Sequence, residues 1–141
     1  MNARLEVRLS GPLLDRIDLH VEVPAVPWED LASPASAVTS AVMRERVLAA
    51  RVVQDQRYAG IPHCRSNADL AGGLFEEHCA LGRNERAFME QSVKSLALSA
   101  RAYTRVLRLA RTVADLEGED HIRIEQLAEA VNCRVLDRER L

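Results

Sequence analysis

The chain has 141 residues, enough for one domain with a real core and too few for two large ones. Hydrophobic residues make up 48% of it but aromatics only 4%, which favours Ala/Leu/Val-packed helices over a sandwich or barrel. A net charge of −2 excludes a strongly basic nucleic-acid binder, so any basic surface must be local.

Residues 4–23 differ from the rest and hold a strand pattern. Ile17, Leu19, Val21 and Val23 alternate with Asp18, His20 and Glu22, and Pro24 and Pro27 end the pattern. A lone strand leaves its backbone groups unpaired, so it needs a partner outside this chain or must pack irregularly. Arg16 stands at its entrance, between Leu13-Leu14 and Ile17 and Leu19, where apolar packing is expected to anchor it. The alternative is a surface pair of Arg16 with Asp15 or Asp18. Residues 24–36 hold three prolines and read as a linker. The expected division is an arm over residues 1–35 and a helical domain over 36–141.

Helical spacing then recurs. A helix over about 36–58 places Val38, Val42, Ala49 and Val53 on one stripe. A loop through Gly60 and Pro62 follows, Asn67 caps a short turn, and a short helix covers about 74–79. The next, about 84–96, buries Phe88, Met89, Val93 and Leu96, and a last helix from Glu125 to about Arg134 buries Leu127, Ala128 and Val131. The fold class expected is mainly α, a strand arm followed by a bundle of four to five helices.

Between the last two helices lies the segment 99–118. Ser99 is placed as an N-cap and Gly118 as a C′ glycine. Arg101, Arg105, Arg108 and Arg111 fall on one stripe, with Ala102, Val106, Leu109, Ala110, Val113 and Leu116 opposite. Four guanidinium groups on one rigid face suit a phosphate-bearing partner, because each fork donates two hydrogen bonds. The plain alternative is a solvated charged face.

No apolar run is long enough to span a membrane, and three cysteines without an export signal point to free thiols in a reducing cytoplasm. The pairs His63-Cys64 and His78-Cys79 superficially suggest zinc, but adjacent ligands do not readily turn onto one ion and no Cys-x-x-Cys spacing exists, so no metal is expected. A phosphate-binding Walker A loop needs Gly-Lys before Ser or Thr, and the single lysine, Lys94, follows Val93. On its own the chain is therefore not expected to hydrolyse ATP.

Six stretches carry a resemblance: Ser10-Gly-Pro-Leu-Leu-Asp-Arg-Ile-Asp-Leu-His, Asn67-Ala-Asp-Leu, Cys79-Ala-Leu, Leu98-Ser-Ala-Arg-Ala-Tyr, Arg111-Thr-Val-Ala-Asp-Leu and Leu127-Ala-Glu-Ala. Together they resemble the C-terminal part of the magnesium-chelatase-like AAA+ ATPases. The resemblance implies a lid domain preceded by the last strand of an AAA+ core. It implies that Arg16 is the arginine finger reaching nucleotide on a neighbouring subunit, and that Arg101 is the sensor-2 arginine contacting nucleotide. Arg105, Arg108 and Arg111 are left to a subunit interface, to DNA or to solvent.

ATP and Mg²⁺ are implied only in a full ring that includes an upstream core. For the whole protein the resemblance implies a hexameric motor acting on DNA in branch migration during natural transformation. Thr104 departs from the family, which usually has histidine there. Two alternatives stay open: a stand-alone helical module that uses the arginines on DNA or an acidic protein, and a magnesium-chelatase subunit proper.

Overall fold

The computed structural model describes residues 16–21, 23–28 and 38–134. Within them the fold is mainly helical, with five α-helices: α1 (Ser40–Arg57), α2 (Gly72–His78), α3 (Arg83–Ser95), α4 (Ala100–Glu117) and α5 (Ile124–Asn132), plus a 3₁₀ turn at Asn67–Asp69. Helix α4 is the centre of the bundle and packs against α1, α5 and the 3₁₀ turn, while α3 closes on α5.

Caps explain where the helices begin and end. The Thr39 side chain accepts from the Val42 amide at 3.3 Å and starts α1. The Ser99 hydroxyl accepts from the Ala102 amide at 3.1 Å and starts α4, and Gly118 stops it in the left-handed region at φ 76°. Between α3 and α4 the Leu98 amide donates to the Val93 carbonyl at 3.2 Å, the six-to-one bond of a Schellman turn. Ala97 sits at its left-handed position with φ 45°, where glycine is the usual residue. The chain accepts that strain to turn α3 directly into α4.

The core is aliphatic. Leu70, Met89, Val106, Ala110, Leu127 and Ala130 are almost wholly buried in one cluster, with Phe88, Val93 and Leu96 packed against it. Burial of such side chains contributes about 1.5–3 kcal/mol each for the larger ones.

Two expectations are corrected. The stripe expected to bury α1 is instead in solvent: Val38, Val42, Ala49 and Val53 are exposed, and Ala50 and Gln54 face inward. Polar bonds from Gln54 and Arg57, described below, turn this helix, and they override its apolar spacing. The strand arm is not formed among the described residues, while residues 4–15 and 22 of that reading lie outside them. Only His20 makes a bridge, parallel to Arg134. Ile17, Leu19, Val21 and Val23, the side expected to be buried, are exposed, and His20 on the other side is buried at 6%. With no ladder beside it, the segment follows backbone bonds to the end of α5 rather than its period-two pattern.

Candidate functional site

The arginine row of α4 does not form one surface. Its members pass from solvent into the core along the helix. Arg101, in the first turn, is exposed, and its carbonyl accepts from the Thr104 hydroxyl at 2.9 Å. Arg105 pairs with Asp18 at 2.8 Å and keeps only 15% of its side chain exposed. Arg108 donates to the Leu70 carbonyl at 2.5 Å and stacks over the Phe75 ring at 5.9 Å. Arg111 is buried at 2%. The expected split between a basic face and an apolar face is thereby corrected, because a helix at the centre of a bundle has neighbours on most sides. Arg111 is inaccessible to DNA or a partner surface.

What holds Arg111 is Asp115, one turn later and itself wholly buried at the side chain. One carboxylate oxygen accepts from Arg57 Nη2 at 2.6 Å and from Arg111 Nε and Nη2 at 3.1 and 2.9 Å. The other accepts from Arg57 Nη1 at 2.9 Å, Asn67 Nδ2 at 2.8 Å and Gln54 Nε2 at 3.1 Å. Asn67 Nδ2 also reaches the Thr112 hydroxyl at 3.1 Å, and its own Oδ1 accepts from the Tyr58 hydroxyl at 2.6 Å. Arg111 donates further to the carbonyls of Asp120 at 2.7 Å and Glu119 at 2.5 Å, which ties down the loop before α5.

Electrostatics follow from that packing. Burial alone pushes the Asp115 carboxyl up, but the Arg57 and Asn67 hydrogen bonds and the two guanidinium charges outweigh it, so it titrates below the usual carboxylate range. The Asp115 hydrogen bond holds the Arg57 guanidinium protonated even more firmly than usual, against the opposing effect of burial. This cluster is a structural lock joining α1, the 3₁₀ turn, α4 and the loop before α5. It uses two of the recognised stretches, Asn67-Ala-Asp-Leu and Arg111-Thr-Val-Ala-Asp-Leu. Sequence reasoning missed it, although an Asp set between Ala114 and Leu116 in an apolar helix, four residues after an Arg, was a usable signal.

Arg16 is exposed at the start of the described N-terminal segment. Its expected apolar anchor is corrected in part: Leu13 and Leu14 lie outside the described residues, and Ile17 and Leu19 are 38% and 48% exposed. Nor does Asp18 pair with Arg16, since its carboxylate meets Arg105. Arg16 precedes Asp18 by two residues, and Arg101 precedes Arg105 by four, about 6 Å of axial rise. The Asp18–Arg105 pair therefore ties the segment that follows Arg16 to the helix that bears Arg101.

Two of the three thiols lie in the interior. Cys64 and Cys79 are buried; burial pushes the Cys79 thiol up to about 11, and its Sγ donates to the Leu107 carbonyl at 3.8 Å. The His78 ring packs edge-on against Tyr58 at 5.5 Å. Among the described residues no group of three or more His, Cys, Asp or Glu could hold a metal, and no helix is long and apolar enough to cross a membrane.

Comparison with known proteins decides the family. The model described as magnesium chelatase, subunit ChlI C-terminal, matches residues 37–134. The chain belongs to this family. Among curated relatives, competence protein ComM of Haemophilus influenzae is 42% identical over 93% of the chain, and protein YifB of Salmonella typhimurium is 40% identical over the same share. A Mycobacterium tuberculosis protein, Rv2897c, is 34% identical over 90% of it. The chain spans about a quarter of the length of each of these relatives, 25% in every case. It is thus a C-terminal domain of the magnesium-chelatase-like type, related to ComM.

Proposed function

We propose that this magnesium-chelatase-type C-terminal domain is the lid and arginine-finger portion of a ring-forming AAA+ ATPase. Arg16 serves as the finger and Arg101 as the sensor-2 contact. The observation that carries this reading is the Asp18–Arg105 ion pair, which ties the segment after the exposed Arg16 to the helix whose first turn bears the exposed Arg101, while the other α4 arginines are occupied. A guanidinium aimed at a transferring phosphoryl group stabilises charge that develops in the transition state, and when supplied from a neighbour it is worth roughly 10³–10⁵ in rate. Arg101 lies in the first turn of α4, where unpaired backbone amides add to the attraction for phosphate.

The chain's residues fit only part of a nucleotide site. They supply guanidinium contacts and no glycine-lysine loop to cradle the phosphates, so ATP with Mg²⁺ engages them only in a ring that has an upstream core. Relationship to a competence protein supports DNA as the track of the full assembly, with branch migration during transformation as its task and the bacterial cytoplasm as its place. A stand-alone DNA module finds less support, because Arg108 and Arg111 are already committed to the Leu70 carbonyl and to Asp115.

The test is Arg16→Ala in the full-length protein, read as steady-state hydrolysis of ATP. The maximal rate falls at least about tenfold while the ATP KM changes little, because a finger acts on the transition state. Mixing this variant with a chain disabled in its own phosphate loop restores part of the rate. An unchanged rate, or a loss confined to KM, contradicts the assignment.

A further inference from the structure

Resting on the finger assignment of Arg16, we infer that Arg105 and Arg134 are its positioning residues, so that the helical domain helps to aim the finger. Three attachments hold the residues just after Arg16. Arg134, buried at 2%, donates from Nη1 to the Ile17 carbonyl at 3.2 Å and to the Asp18 carbonyl at 3.4 Å. The His20 amide donates to the Cys133 carbonyl at 2.6 Å, and His20 bridges Arg134 in parallel register. Arg105, in α4, grips the Asp18 carboxylate at 2.8 Å.

Among the described residues apolar packing contributes little here, since Ile17 and Leu19 are 38% and 48% exposed. The direction of the finger is therefore set by polar bonds to backbone carbonyls and to one carboxylate, and these fix orientation as well as contact. Arg105 is one turn from Arg101. The same pair that holds the finger segment thus holds it to the helix that bears the sensor arginine. A loose clamp leaves Arg16 in the chain but misdirects it, and small misplacement of a charge at a reacting centre lowers turnover without weakening binding.

Asp18→Asn is the mild variant, because Asp18 is 68% exposed at its side chain and its loss leaves the core untouched. In the full-length protein with ATP and Mg²⁺, Asp18→Asn lowers the maximal rate roughly tenfold and leaves the ATP KM within about twofold. The exchange Asp18→Arg with Arg105→Asp restores at least half of the lost rate. Added to Arg16→Ala, Asp18→Asn has no further effect on rate, a readout that a purely structural role would not produce. If Arg16→Ala lowers the rate but Asp18→Asn does not, or if its loss persists on the Arg16→Ala background, the positioning role is overturned and the finger stands. If Arg16→Ala itself leaves the rate unchanged, the finger assignment fails and the positioning role falls with it.

Discussion

The two ends of α4 carry the same residue type to opposite ends. At its start Arg101 is exposed and its guanidinium is spent on no described partner, while ten residues later Arg111 is buried and bonded to Asp115 and to two carbonyls. Spacing alone made them equivalent members of one stripe. What separates them is their surroundings: Arg101 faces solvent, whereas Arg111 and Asp115 meet the side chains of α1 and the 3₁₀ turn and the loop before α5. An arginine on a helix is therefore neither a ligand site nor a structural lock until its surroundings are known.

The largest effect lies at the buried end. Asp115→Ala leaves the Arg57 and Arg111 guanidiniums uncompensated and costs about 3–5 kcal/mol of unfolding free energy by denaturant titration. A loss under about 1 kcal/mol means that Asp115 is not the lock. The same carboxylate makes stability depend on acid. Its folded titration lies below the unfolded one, so its contribution is complete above about pH 4 and is lost as pH falls through the lower folded value. Asp115→Asn removes that segment of the acid-unfolding profile, and an unchanged profile assigns it to other carboxylates.

Backbone effects at the two ends come next. Gly118→Ala forces a side chain to φ 76° and lowers stability by about 1 kcal/mol, although open space surrounds the site. Ala97→Gly relieves the left-handed strain before α4 and raises stability by up to about 1 kcal/mol, offset in part by the greater entropy of the unfolded chain. Thermal unfolding that moves the same way in both variants would contradict the assigned geometry. At the exposed end, Arg101→Ala changes stability by less than about 0.5 kcal/mol.

Much of the helical framework could be read in advance. The Ser99 cap, the Gly118 stop and the apolar spacing of Met89, Leu127 and Val131 depend only on local chemistry, and the structure agrees at each. The outer elements could not. The face that α1 buries is chosen by Gln54 and Arg57 reaching Asp115, residues 61 and 58 positions away, and no local period encodes that. Residues 17–23 have a clear alternation, yet its outcome depends on a neighbouring strand that the described residues do not contain. At the site, Arg16 and Arg101 were identified from resemblance. The tie between their two segments follows from Asp18 meeting Arg105, a contact 87 residues long-range in sequence that spacing does not reveal.

Denaturant unfolding of Arg111→Ala beside Arg101→Ala tests the central claim most directly. The account predicts a loss of about 3 kcal/mol or more for Arg111→Ala, because Asp115 loses two of its six bonds and the loop before α5 loses its tether, and a change within about 0.5 kcal/mol for Arg101→Ala. Equal losses, or a larger one for Arg101→Ala, would contradict the division of the row into a buried structural end and an exposed end that carries no stability.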